Sequence, residues 1–302
     1  MARDWEATLR KWGEPASDAE EKRRDRTVQL VTDALNGLPD VKALPINVYP
    51  KGSYANNTNV SHDSDVDVSV EYTGIEYFDL TDELKGLTRD DVGFGEVTNP
   101  YSPEQLKDDV ERALVKAFGR SVVTRNNKAL TVREASTRLA ADVVPCFAYR
   151  RYYARGAYGL RSHKGVKLFP DTGWPIINWP AQHHDNGVAK NKATGLRFKR
   201  MVRALKYLEN ELCEKGLIKE APGYFAECLV FNVPNPKFNH TNYVDDMQSV
   251  LAYIWNETRP GHGWEDFAEV NDLKWLFRGN RKWTYQDAHK LADVAWDYMG
   301  FE

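Results

Sequence analysis

Asp65 and Asp67 stand two residues apart in Asp65-Val66-Asp67-Val68-Ser69-Val70, a stretch that alternates strictly. Strand side chains alternate with a period of two, so Val66, Val68 and Val70 take one face and Asp65, Asp67 and Ser69 the other. Unpaired carboxylates this close repel each other. A divalent cation removes the objection, and oxygen-only ligands suit Mg²⁺ or Mn²⁺. A third acid, Asp142, is alone in the small and apolar run Leu139-Ala140-Ala141-Asp142-Val143-Val144-Pro145. Three carboxylates on one sheet face can hold two Mg²⁺ ions roughly 3.5–4 Å apart, an arrangement suited to in-line displacement at phosphorus. Upstream, Lys51-Gly52-Ser53 reads as a phosphate-cradling turn. Gly52 lets the backbone approach phosphate oxygens, and Ser53 adds a hydroxyl and an N–H. Taken singly, the acids could be a solvated strand face and a satisfied buried carboxyl. The order of turn, paired acids and distant third acid favours metal-assisted phosphorus chemistry. Asp63 reads as a turn residue.

These residues need elements to carry them. Ser17-Asp18-Ala19-Glu20 has the form of a capping box, and Val28, Val31, Leu35 and Leu38 follow at helical spacing up to Gly37 and Pro39. This long amphipathic helix is expected to brace the fold. Ile46-Asn47-Val48-Tyr49 is a short strand, Pro50 to Ser53 turns out of it, and Tyr54 to Asp63 opens as a short helix or loop. Residues 73–100 mix charges, glycines and aromatics and read as a mobile surface insertion. Ser102-Pro103-Glu104 opens a helix, and Asn126-Asn127 joins the strands 122–124 and 129–132. Leu139 to Pro145 is a buried strand, followed by a basic and aromatic run that includes Tyr149, Arg150 and Arg151. After Pro180 the pattern is helical. Phe198, Met201, Val202, Leu205, Leu208 and Leu212 form one stripe, and further helices are expected at 224–230, 242–256 and 286–298. The result is an α+β chain: a mixed sheet with helices over residues 1–180 and a helical domain over 181–302, with the active site in the cleft between them.

Bulk properties exclude several classes. The 302 residues suffice for two cores, and 42% hydrophobic with 12% aromatic content is ordinary for a globular chain. Forty-one basic and 44 acidic residues give a net charge of −3, against a bulk electrostatic grip on long nucleic acid. Cys146, Cys213 and Cys228 are scattered in apolar surroundings, which suggests free thiols in a reducing cytoplasm. No secretory signal opens the chain, and no apolar run nears the roughly 20 residues a membrane span needs. His183-His184 invites a metal reading, but adjacent histidines point apart and lack zinc spacing. Trp255, Trp264, Trp275, Trp283 and Trp296 read as helical-domain packing.

The motifs also carry a resemblance. Gly52-Ser53, Asp65-Val66-Asp67 and the later Asp142 resemble the DNA polymerase β-like nucleotidyltransferase superfamily. The wording from Lys51 to Val60, Ala141-Asp142-Val143-Val144-Pro145-Cys146, Lys190-Asn191 with Thr194, Phe198-Lys199 and Tyr224-Phe225-Ala226-Glu227-Cys228-Leu229 resembles the bacterial cGAS/DncV-like nucleotidyltransferases, clade E type. The likeness runs in blocks from about Ser17 to Phe238. It implies a polymerase β-like core with a C-terminal helical domain, and synthesis of a cyclic di- or oligonucleotide messenger in anti-phage defence. The substrates are nucleoside triphosphates: UTP, with a second UTP, CTP or ATP. It further implies a cytoplasmic monomer whose product a separate effector protein senses.

By position, Asp65 and Asp67 would hold two Mg²⁺ ions (Mn²⁺ substituting), while Asp142 would bind the catalytic one and help deprotonate the attacking hydroxyl. Lys206 matches a lysine that reaches the donor triphosphate, and Tyr224 an aromatic that stacks on a base. Asn178 falls where uridine-preferring members carry asparagine, whose amide offers donor and acceptor alike. Lys51, Gly52, Ser53, Asn191, Thr194 and Lys199 complete the nucleotide-binding set. Plainer readings stand beside these: a solvated helix face for Lys199 and Lys206, a helix cap for Asn191 and Thr194, core packing for Tyr224 and a turn cap for Asn178. One departure is Gly223, where relatives carry serine before the tyrosine. A linear transferase acting on a tRNA, a protein or a small molecule is the rival enzyme, and a catalytically dead nucleotide sensor is the rival outside enzymes.

Overall fold

The computed structural model describes residues 3–60, 65–95, 97, 100–157, 159–279 and 283–302. The expected turn at Asp63 lies outside the described residues. In chain order the helices are α1 (Trp5–Trp12), α2 (Asp18–Asn36), α3 (Pro39–Lys42), α4 (Gly52–Asn56), α5 (Pro103–Phe118), α6 (Pro180–Ala193), α7 (Arg197–Glu214), α8 (Gly223–Asn232), α9 (Tyr243–Glu257) and α10 (Tyr285–Met299). The strands are β1 (Ile46–Pro50), β2 (Val66–Leu80), β3 (Val123–Arg125), β4 (Leu130–Val132), β5 (Ala141–Gly156), β6 (Gly159–Leu168) and β7 (Ile176–Asn178).

The chain divides into two compact units: Ser17–Tyr54 with Asp65–Ala181, and Met1–Ala16 with Ala55–Ser64 and Gln182–Glu302. Helix α1 and the segment from Ala55, the last two residues of α4 included, therefore group with the helical unit rather than with the sheet unit. Helix α1 was not among the elements expected from the sequence. Asp4 caps it through the Ala7 N–H, Gly13 ends it, and Trp5, Leu9 and Trp12 lie on one face.

The sheet unit is built on one mixed sheet, ordered β1-β2-β5-β4-β3, with β6 on the distal half of β5 and β7 beside β6. β2 and β5 run parallel; the other pairs are antiparallel. Val66, Val68, Val70 and Val143 are wholly buried. They join the core with Val31 and Leu35 of α2 and Leu106, Val110 and Leu114 of α5. The valine face of β2 thus points into the core, and its acidic face points away from it. Ser17 caps α2, and a reciprocal Ser102–Gln105 capping box with Pro103 starts α5.

The expected loop over 73–100 requires correction in its first part, residues 73–80. β2 continues to Leu80 and stays paired with β5 as far as Leu80↔Tyr152, with one register shift between Tyr72 and Glu76. The mixed charges and aromatics mark cross-strand partners rather than a loop. Arg150 pairs with Glu76 at 2.8 Å, and the Tyr149 hydroxyl donates to Asp79. The basic and aromatic run after Pro145 is likewise strand: β5 extends to Gly156 and returns as β6.

In the helical unit, α7 carries Phe198, Met201, Val202, Leu205, Leu208 and Leu212 at 0% exposure, the expected stripe. Its other faces are covered as well, so Arg203, Lys206 and Glu209 are buried too. Trp255, Trp283 and Trp296 pack against the core and Trp264 stacks on Tyr285. Trp275 departs from the packing expectation: it is 44% exposed, under the Arg278 guanidinium. The three cysteines are free thiols. Among the described residues no helix is long and apolar enough to cross a membrane.

Candidate active site

The parallel register of β2 and β5 sets Asp67 directly opposite Asp142. Asp65 immediately precedes β2, and the charge of Asp142 reaches it. Burial, then Asp142 and Glu134, raise the Asp65 carboxyl above its ordinary range. Burial pushes Asp67 up to about 6, with Lys51 opposing and Asp142 and Asp65 reinforcing. Strand register thus brings Asp67 and Asp142 together, with Asp65 within electrostatic reach of Asp142.

The turn is tied to the same strand. Lys51 N–H donates to the Asp67 carbonyl at 2.9 Å, just past the last β1–β2 pair, Pro50↔Val68. Gly52 has φ +66°, and a Cβ there would lie 2.1 Å from Asp67 Oδ2. Any side chain would both strain the backbone and occupy the place of the carboxylate. Ser53 follows in α4, on the same turn.

This donor set fits Mg²⁺ or Mn²⁺ in kind: hard oxygens, excess negative charge and one opposing lysine. Among the described residues no three acidic, His or Cys side chains close around an ion as they stand. Asp142 Oδ1 instead accepts from the Thr131 hydroxyl at 2.5 Å. Thr131 was not among the residues singled out from the sequence. Its signal lies in strand pairing, Thr131↔Asp142, rather than in any local motif.

The remaining expected contacts fall in two places. Asn178 is in the sheet unit, half-buried at the end of β7 and paired with Val166. The others are in the helical unit. Asn191 Oδ1 accepts from the Lys199 N–H at 3.1 Å, and Thr194 Oγ accepts from the Phe198 N–H at 3.0 Å. Both side chains are thus used as caps for α7. Lys199 is half-buried, and burial lowers its pKa. The Tyr224 hydroxyl donates to Glu269 at 3.1 Å, and its ring lies 5.4 Å from that of His183.

Lys206 is buried rather than solvated. Its ammonium donates to the Thr58 carbonyl at 2.8 Å and stands 3.6 Å from Glu227. Glu227, quoted from the sequence only as part of a matching block, is the hub of this network. It accepts from Thr58 Oγ at 2.9 Å and lies 2.8 Å from His183 Nε2, which is also 3.1 Å from the Asn56 amide. Burial pushes its carboxyl up, but Lys206, His183 and Thr58 together pull it down to about 2. Gly223 abuts the same lysine: a Cβ there would be 3.2 Å from Lys206 Cδ and Cε.

One turn along α7, Glu209 is buried with an Oε2 that has no hydrogen-bond partner among the described residues, and burial raises its pKa to about 8 against the opposing charge of Lys206. A carboxyl that holds its proton more tightly folded than unfolded makes stability fall as pH rises between the two pKa values. Glu209→Gln is therefore expected to flatten the decline between about pH 4.5 and 8. It should also raise stability at pH 8.5 by about 1–3 kcal/mol. Urea titrations at pH 5 and 8.5 measure this; equal pH slopes in both proteins would refute it.

With this geometry in place, known proteins give a consistent comparison. The family model of the cGAS/DncV-like nucleotidyltransferase C-terminal helical domain matches residues 185–300. Over 304 aligned residues the chain is 38% identical to the cyclic dipyrimidine nucleotide synthase CdnE of Cecembia lonarensis, covering 100% of both. It is 36% identical to the cyclic dipyrimidine nucleotide synthase CdnE of Legionella pneumophila, covering 99% of each. The structure of the Rhodothermus marinus CdnE c-UMP-AMP synthase with Apcpp and Upnpp superposes with a TM-score of 0.81 at 30% identity, covering 98% of each chain. A polymerase β-like sheet unit with a carboxylate strand and a helical unit of this type define a nucleotidyltransferase that makes cyclic nucleotides. The chain belongs to the CdnE-type cGAS/DncV-like nucleotidyltransferases.

Proposed function

We propose that the chain joins nucleoside triphosphates, UTP among them, into a cyclic dinucleotide or short cyclic oligonucleotide by two successive Mg²⁺-dependent transfers. The observation that carries this reading is the in-register pair Asp67↔Asp142 with Gly52 seated against Asp67. In each transfer a ribose hydroxyl attacks the α-phosphorus, the bond to the β-phosphate bridge oxygen breaks, and pyrophosphate leaves. Asp142 accepts the hydroxyl proton and passes it to solvent. Asp65, Asp67 and Asp142 would hold Mg²⁺, which when bound supplies charge neutralisation at the phosphates and acidifies the attacking hydroxyl. Lys51, Gly52 and Ser53 take phosphate oxygens. Lys199 and Lys206 are the cations for the triphosphate, Tyr224 the stacking aromatic and Asn178 the base reader, while Asn191 and Thr194 act through the cap of α7.

Pyrimidine use is supported by the dipyrimidine and UMP-AMP synthases among the relatives. The product is a cytoplasmic signal in anti-phage defence, read by a separate effector. The protein is to be incubated with Mg²⁺ and four labelled triphosphates and then treated with phosphatase. A phosphatase-resistant small product of cyclic mass supports the proposal. Label on tRNA or protein, or a phosphatase-sensitive linear product alone, overturns it.

Asn178→Ser is expected to shift base choice away from uracil by roughly 10-fold, since each lost amide hydrogen bond to a substrate edge is worth about 0.5–1.5 kcal/mol. Competition between UTP and ATP measures this. An unchanged product ratio removes Asn178 as the reader.

A further inference from the structure

Asp142 is held from the side by a chain of hydrogen bonds that the proposed chemistry does not use. The Thr131 hydroxyl contacts Asp142 Oδ1 at 2.5 Å, and the Asn126 amide donates to Thr131 Oγ at 2.8 Å. The amide NH₂ can only donate, so the threonine oxygen accepts from it and turns its own proton to the carboxylate. The relay therefore has a fixed direction, from Asn126 through Thr131 to Asp142. Strand register enforces it, because Thr131 of β4 is the direct partner of Asp142 on β5.

The turn that presents Asn126 is itself anchored. Lys107 of α5, nearly inaccessible, donates to the carbonyls of Asn126 at 2.7 Å and Asn127 at 2.9 Å and pairs with Asp171 at 2.8 Å. A buried ammonium on two successive carbonyls leaves the turn little freedom. The hairpin β3–β4 is thus more than an edge of the sheet. It fixes one oxygen of the third carboxylate.

We propose that Thr131, oriented by Asn126, is a positioning residue for Asp142: its hydroxyl occupies Oδ1 and fixes the carboxylate rotamer, directing Oδ2 to the metal and the attacking hydroxyl. This rests on the reading of Asp142 as a metal-bearing carboxylate. Groups that orient a metal ligand are typically worth roughly 10–100-fold in affinity or activity.

The test compares Thr131→Val, which keeps the shape and loses the hydroxyl, with Thr131→Ser, which keeps the hydroxyl, in the full chain. Asp142→Asn serves as the control. Steady-state synthesis and Mn²⁺ binding by electron paramagnetic resonance, with a non-hydrolysable UTP analogue present, are read together. For Thr131→Val the expected result is a kcat lower by roughly 10–100-fold, KM within twofold and Mn²⁺ binding weakened by a similar factor. Thr131→Ser should recover most of both. Asn126→Ala, at an exposed turn position with the Thr131 hydroxyl intact, should lower kcat severalfold; it serves as the second variant if Thr131→Val does not fold. Wild-type kcat and Mn²⁺ binding in Thr131→Val, with Asp142→Asn inactive, overturns the proposal and leaves the metal reading standing. Equal defects in the Val and Ser variants also overturn it, because the hydroxyl is then not the acting group. Full activity of Asp142→Asn overturns the metal reading itself.

Discussion

Replacing Asp65 and Asp67 together by asparagine is expected to abolish synthesis, a loss on the order of 10³-fold or more, since even one preorganised group at a centre of developing charge is worth roughly 10²–10³. The substitution removes two of the three charges that would hold Mg²⁺ and leaves the shape of the strand. The residues that fasten β2 into the core are Val66, Val68 and Val70 on its other face. The double variant should therefore fold. In metal-free buffer at pH 7 it should melt at or above the wild-type temperature, because burial and neighbouring carboxylates disfavour the charged form of both acids. Chromatography of labelled product and a thermal melt by circular dichroism measure the two halves. Undiminished synthesis would end the metal assignment. A collapsed melt would show that the acids are structural.

Glu227→Ala is expected to destabilise the helical unit by about 3–5 kcal/mol, the usual cost of leaving a buried charge without its partner. The variant strands the Lys206 ammonium, the Thr58 hydroxyl and His183, which Glu227 holds at 3.6, 2.9 and 2.8 Å. Glu227→Gln keeps the size and some hydrogen bonding, so it should lose less. The pH dependence distinguishes charge from packing. The folded pKa of about 2 lies below the ordinary 4.5, so the contribution of the carboxylate is complete above about pH 4.5 and lost as pH falls toward 2. Both variants should lack this part of the acid limb. Urea unfolding at pH 7 and 3.5, followed by tryptophan fluorescence, makes the comparison. A wild-type acid limb in Glu227→Gln would mean that the carboxylate is not ionised in the fold.

Two elements of the candidate site, the strand of paired acids and the turn before it, were legible because their signals are local. Alternation set Val66, Val68 and Val70 on one face and Asp67 on the other, and Lys51-Gly52-Ser53 announced a turn. The hairpin around Asn126-Asn127 and the stripe of α7 were legible for the same reason: turn chemistry and helical period are short-range signals. What was not legible depends on pairing. Glu76 and Arg150 are ordinary surface charges until β2 and β5 bring them together, so the ribbon passed for a loop. Thr131 is an unremarkable strand threonine until β4 lies beside Asp142. Lys206 and Glu209 sit off the apolar stripe, and only the elements packed around α7 make them interior. Trp275 erred in the other direction, since an aromatic in a helical domain is assumed to pack.

Gly223 bears on packing as well as on the motif. Read as a gap in a motif, it is a lost hydroxyl. In the structure, the missing Cβ is the space along which the Lys206 stem runs. A side chain at position 223 would therefore press on the Lys206 stem, which would have to give by a few tenths of an ångström. The Thr58 and Glu227 contacts at the tip of that path would feel any such change. The glycine thus leaves the Lys206 stem room that a Cβ would crowd.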